Sequence, residues 1–136
     1  MTAVLLDSNV VIALSITEHQ HHVRASRWFQ DVTEASLCPI TEGALMRFLV
    51  RTGTPARSVV TLIRALHDDP RIGFIADDLS YGAIDVDHVI GHRQVTDSYL
   101  VALAALHDAR LATLDAALHT TLPDSTLLIP EPNLRS

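Results

Sequence analysis

The feature that most constrains this chain is a rhythm of short, unbroken apolar runs set between longer segments with helical spacing. Residues 3–6, 35–38, 73–76 and 111–114 form such runs, each too brief for a helix, and 127–129 is a candidate fifth. Runs that are apolar at successive positions, rather than at alternate ones, belong to strands covered on both faces. Between them, apolar residues recur every three or four positions: Val10 to Leu14 after the capping types Asp7, Ser8 and Asn9; Val23, Ala25, Trp28, Phe29 and Val32; Leu45, Met46, Leu49 and Val50 facing inward from a helix begun at Thr41; and Val59, Val60, Leu62, Ile63 and Leu66. A weaker helical stretch is predicted over 85–90. A helix opening at Thr96 and running to Asp108 is apolar nearly all round, which predicts burial. Strands alternating with helices in this way predict an α/β fold: a three-layer α/β/α sandwich around a mostly parallel sheet of four to five short strands.

The 136 residues fit one domain spanning 1–136. Hydrophobic residues at 48% against 19% charged exclude a disordered chain. No segment has the ~20 uncharged apolar residues of a membrane span. The opening run meets Asp7 without a basic leader, which argues against a secretory signal. A lone Cys38 permits neither an internal disulfide nor a cysteine-built zinc site. These features together predict a cytoplasmic protein with no membrane association. The net charge is −6, and every basic residue is an arginine. Such a chain has no broad basic face for nucleic acid, so a polyanion would have to be met by a few local arginines or by bound cations.

In an open parallel sheet, ligands bind beyond the carboxyl ends of the strands. Asp7 follows the first run, Glu42 the second and Asp115 the fourth, while Asp97 opens the helix leading into the fourth. These carboxylates are expected to meet on one rim. Converging anions repel unless they are protonated or neutralised, and a set of hard oxygen donors selects Mg²⁺ or Mn²⁺ over zinc. Simpler roles exist for each: Asp7, Asp97 and Asp115 as helix caps or first-turn acids, and Glu42 as a first-turn acid. Asp77 and Asp78 also follow a run, and the pattern does not separate them from the rim.

Other side chains read mainly as structure. His19, His21 and His22 fall in a polar connection and are expected to be surface residues. Trp28 and Phe29 are expected in the core, with a partner-binding groove as the alternative, and Cys38 is expected as a small buried residue in its strand. Arg47 and Arg51 share a helix face, as either a solvated stripe or a phosphate- or partner-facing edge. Arg57 and Arg64 read as plain surface. Arg93 is a candidate phosphate contact, with pairing to Asp87 as the alternative.

The ordered segments Leu5-Leu6-Asp7-Ser8-Asn9-Val10, Ile40-Thr41-Glu42, Val95-Thr96-Asp97-Ser98-Tyr99-Leu100 and Ala112-Thr113-Leu114-Asp115 resemble those of the PIN-domain ribonucleases. The likeness spans nearly the whole chain and is closest to the toxin subunit of VapBC-type toxin–antitoxin pairs. It implies a Mg²⁺- or Mn²⁺-dependent endoribonuclease, cleaving RNA phosphodiester bonds by metal-activated water. In that reading Asp7, Glu42 and Asp97 are the principal acidic residues and Asp115 a more peripheral one. Asn9 and Thr113 match supporting polar positions, and Arg93 and Arg47 are candidate RNA contacts. The implied partners are an RNA substrate, a VapB-like antitoxin and a second copy of the chain. The chain departs from the pattern between Ser98 and Ala105, where many PIN domains carry a further acidic residue.

Two other functions fit the same residues. One is an RNA-processing PIN nuclease with no antitoxin; the other is a non-catalytic PIN-like module that merely binds a metal. A phospho-receiver is disfavoured by the absence of lysine, and Asp7-Ser8-Asn9 lacks the Asp-x-Asp of a haloacid-dehalogenase-type phosphatase.

Overall fold

A computed structural model describes residues 3–132. Five strands, β1 (Val4–Leu6), β2 (Ala35–Leu37), β3 (Ile72–Phe74), β4 (Arg110–Thr113) and β5 (Thr126–Leu128), form one sheet in the order β3-β2-β1-β4-β5. Every pairing is parallel. The helices are α1 (Ser8–Ser15), α2 (His22–Phe29), α3 (Pro39–Arg51), α4 (Ala56–Asp68), α5 (Val95–Leu106) and α6 (Ala116–Thr121).

The two faces of the sheet can be read from β1 alone, because successive strand side chains point to opposite sides. Val4 and Leu6 join a cluster with Val10, Val11, Leu45, Leu49 and Val59. Leu5 joins a second cluster with Tyr99, Leu100, Leu103, Leu111 and Leu118. Helices α1 to α4 therefore cover one face and α5 with α6 the other, giving the three layers that the apolar runs predict. All three β1 side chains are buried, as a central parallel strand requires.

The chain moves outward from β1 through β2 to β3, then returns to the opposite side of β1 with β4. The strand order thus reverses between β1 and β4, and that crevice is where open parallel sheets bind ligands.

Several boundaries differ from the sequence reading. Strand β3 begins at Ile72 and ends at Phe74, short of Ala76, and β4 and β5 are each displaced one residue toward the N-terminus. Helix α3 opens at Pro39, a position where proline's missing N–H costs nothing, so this proline starts the helix as well as stopping the strand. Cys38 accordingly stands at the cap of α3, beyond the strand, and is fully buried. The predicted helix over 85–90 is absent. Short 3-10 turns occupy Tyr81–Ala83 and His92–Gln94, joined by an irregular connection. Within it Asp85 Oδ1 accepts from Asp87 N, a local side-chain bond of the kind that competes with helix. Val50, expected inward, is 46% exposed. Helix α5 is buried through Ser98–Leu100, Leu103 and Ala104, but Val95 and Leu106 at its ends face solvent.

Candidate active site

Asp7 stands at the centre of the crevice. It is the N-cap of α1, with Oδ1 accepting from Ser8 N at 2.7 Å, and only 3% of its surface is exposed. Its Oδ2 accepts from Thr113 Oγ1 at 2.8 Å, across the β1–β4 boundary. Thr113 Oγ1 in turn accepts from Asn9 Nδ2 and from Asp115 N, while Asn9 Oδ1 accepts from Leu114 N. Asn9 and Thr113 thus lock Asp7 and the start of α6 into one network.

Asp97 lies in the first turn of α5, which Gln94 caps, so capping is not its role. Its carboxylate has no hydrogen-bond partner among the described residues. With Asp115 it lines a small cavity of about 90 Å³, shared with His88, Gln94 and Ser98. Partial burial, then the negative charge of Asp7 and of Asp115, pushes the Asp97 carboxyl up to about 6. Burial also raises Asp7; the hydrogen bonds from Thr113 and Ser8 oppose that rise, and Asp115 adds to it. Asp115 caps α6, its Oδ1 accepting from Leu118 N at 3.1 Å. Capping and membership of the acidic group coexist in Asp7 and Asp115, because both follow a strand and precede a helix.

Glu42 behaves differently. It occupies the first turn of α3, one strand away from the crevice, and its Oε2 accepts from His67 Nε2 at 2.6 Å. It makes no other side-chain hydrogen bond among the described residues. His67, in the last turn of α4, also meets the ring of Phe74 edge-on. The structure therefore brings Asp7, Asp97 and Asp115 into mutual electrostatic contact and gives Glu42 a separate partner. The sequence reading missed His67 because the contact depends on how the α3–α4 hairpin pairs its far ends. It also missed His88, whose Nε2 lies 2.7 Å from Ser98 Oγ beside Asp97.

The remaining candidates fall elsewhere. Arg47 lies on an open apolar groove of about 770 Å³ lined by Ile12, Ala44, Met46, Phe48, Val50 and Arg51. Arg93 is exposed in the 3-10 turn before α5 and makes no ion pair with Asp87 among the described residues. Asp78 pairs with His107 at 3.1 Å, which lowers its carboxyl, so it is engaged away from the rim. Trp28 and Phe29 pack half-buried against the core, and Arg71 stacks over Phe29 at 4.2 Å. The His19–His22 segment forms only local contacts: His19 Nδ1 accepts from His21 N, and the His22 ring bonds the Ala13 carbonyl.

The donor set fits a hard divalent cation. Its atoms are carboxylate oxygens, those of Asp97 without a hydrogen-bond partner among the described residues, in a place where neighbouring negative charge disfavours ionisation. A cation would remove that repulsion. Among the described residues no three His, Cys, Asp or Glu side chains enclose a ready-made metal cage. An open rim suits Mg²⁺ in particular, which keeps several waters and is held by one or two carboxylates together with substrate phosphates.

A five-stranded parallel sheet carrying acidic residues at its switch point defines a class, and comparison with known proteins identifies it. The PIN domain family profile matches residues 4–121, and the chain belongs to that family. It is 46% identical over 128 residues to Ribonuclease VapC29 of Mycobacterium tuberculosis, covering 93% of this chain and 96% of that protein. The solved structure of VapC20 from M. tuberculosis, a toxin that cleaves the sarcin–ricin loop, superposes with a TM-score of 0.71 over 95% of this chain and 99% of that one, at 13% identity. A toxin–antitoxin complex from Klebsiella pneumoniae gives a TM-score of 0.67 at 16% identity, over 95% and 99% of the two chains. At those identities the structural likeness speaks for the fold. Among the described residues, no helix is long and apolar enough to cross a membrane.

Proposed function

We propose that this protein is an Mg²⁺- or Mn²⁺-dependent endoribonuclease acting as the toxin of a type II toxin–antitoxin pair. In this reading Asp7, Glu42, Asp97 and Asp115 hold the cation, and Asn9 and Thr113 orient Asp7. The observation that carries it is the convergence of Asp7, Asp97 and Asp115 at the switch point of the sheet, where burial and their mutual repulsion raise the Asp97 carboxyl. The relationship to a VapC ribonuclease across nearly the whole chain supports the same chemistry. When bound, the cation supplies Lewis-acid stabilisation of the phosphate and lowers the pKa of a water. It also brings the positive charge that a chain of net charge −6 lacks.

The chain's own groups set the geometry. Asp7 is held rigid by its hydrogen bonds, so its charge is directed without reorganisation when substrate arrives. The partner-free Asp97 carboxylate and the cavity beside it leave room for water. In this reading Arg93, exposed before α5, meets an RNA phosphate, and Arg47 on α3 meets another. The attack is expected in line with the departing 3′ oxygen, leaving a 5′-phosphate. We further assign a VapB-like antitoxin as inhibitor, a homodimer as the working form and the cytoplasm as its place.

The test is RNA cleavage with added Mg²⁺ or Mn²⁺, repeated after chelation, with end-group analysis of the products. Cation-dependent cleavage leaving 5′-phosphates is the expected result. A 2′,3′-cyclic phosphate, or cleavage indifferent to chelator, would overturn the reading. Growth arrest on expression that is relieved by D7N checks the toxin assignment, and light scattering of the purified protein checks the dimer.

A further inference from the structure

We infer that His67 is a positioning residue for Glu42, holding one carboxylate oxygen so that the other is presented to the cation. This rests on the proposed role of Glu42 as a ligand. His67 Nε2–H donates to Glu42 Oε2 at 2.6 Å, and Glu42 Oε1 has no hydrogen-bond partner among the described residues. The pair is sheltered, with side chains 29% and 20% exposed.

Two features make the contact a fixed one. The imidazole lies in the last turn of α4 and is braced edge-on against Phe74 of β3. Glu42 lies in the first turn of α3, whose start is pinned by Thr41 Oγ1, which accepts from Cys38 N at 3.2 Å and donates to Cys38 O at 3.1 Å. Both ends of the contact are therefore attached to anchored helix termini.

The need for such a brace follows from the fold. Asp7 is oriented by Thr113 and Ser8, which the β1–β4 crevice supplies. Glu42, one strand away, has a longer side chain and no such neighbour. A free glutamate samples several rotamers, and ordering it costs conformational entropy. A partner that removes this freedom beforehand raises the ligand's affinity, as outer-shell hydrogen bonds to metal-binding carboxylates do.

The experiment is a Mn²⁺ titration of the full-length protein, following the paramagnetic resonance signal of free Mn²⁺. H67A is expected to weaken binding by about 10- to 100-fold. H67Q, whose amide nitrogen takes the place of Nε2, is expected to stay within about threefold of the parent. E42Q should weaken binding at least as much as H67A, and the E42Q/H67A double variant no further than E42Q. If E42Q weakens binding while H67A leaves it unchanged or tighter, the positioning role is overturned and the ligand role of Glu42 survives. If H67Q binds as poorly as H67A, the hydrogen bond is not the cause and the inference also fails. If E42Q binds Mn²⁺ as the parent does, Glu42 is not a ligand and both readings fall.

Discussion

Asp7 and Glu42 are the same kind of group at the ends of adjacent strands, yet the molecule treats them in opposite ways. Asp7 is buried, capped into α1 and gripped from β4 by Thr113, and its carboxyl is raised by that burial. Glu42 is more exposed and answers to one imidazole from the neighbouring helix of its own layer. The difference comes from strand order. Because β4 returns beside β1, Asp7 has a neighbour on both sides of a crevice, whereas β2 lies between β1 and β3 and offers Glu42 no comparable cleft. A switch point builds a rigid site from short side chains; one strand away, a longer side chain and an external brace are needed.

The sharpest way to break this contrast is to remove charge at the crevice. D7N and D97N should each lower RNA cleavage by about 10²–10³-fold, the usual cost of losing one preorganised electrostatic partner. D7N should leave the fold intact, because asparagine caps a helix as well as aspartate does. Retained cleavage with unchanged circular dichroism would take either residue out of the site.

Next in size is the support of Asp7. Thr113→Val keeps the shape but deprives a buried carboxylate of its 2.8 Å donor. It should cost about 1–3 kcal/mol in urea unfolding, and an equivalent change in exposed Thr61 should cost far less.

The third prediction concerns the repulsion itself. The Asp97 carboxyl is raised to about 6 in the folded protein from an ordinary 3.8. The folded state therefore binds its proton more tightly than the unfolded state does. That contribution to stability is complete below about pH 4 and is lost as pH rises through 6. Without divalent cation, D97N should accordingly be more stable than the parent at pH 7.5, by roughly 1–2 kcal/mol after discounting for partial solvent screening. The advantage should vanish near pH 4, and urea midpoints measured across that range decide it. At tenfold its dissociation constant, Mn²⁺ should stabilise the parent by about 1.4 kcal/mol and leave D97N almost unmoved.

The smallest effect tests the arginines. R93A should weaken RNA binding modestly and reduce the salt dependence of affinity by about one phosphate contact. R47A, on the apolar groove of α3, should do less.

Much of this was legible before any coordinates. Runs apolar at successive positions can only be strands buried on both faces, so the sandwich and its parallel sheet follow from local pattern. The switch-point rule then sends Asp7, Glu42, Asp97 and Asp115 to one end; the structure couples Asp7, Asp97 and Asp115 there and gives Glu42 to His67. Errors arose where tertiary contacts outweigh pattern. Val50 continues the helical spacing of α3 but lines an open groove with Ile12 and Met46, and it is 46% exposed. The 85–90 stretch is not a helix, and there the Asp85 carboxylate accepts from Asp87 N instead.

The periodic placement of apolar residues and of the acids that end each strand is encoded locally, since burial on two faces and capping act over a few residues. Which acids face one another, which polar group steadies each, and why Asp97 holds its proton to about 6 depend on groups far apart in the chain. Those were settled only when β4 took its place beside β1 and α4 folded back along α3, because hydrogen bonds and charge repulsion act through space over a few ångströms whatever the separation in sequence.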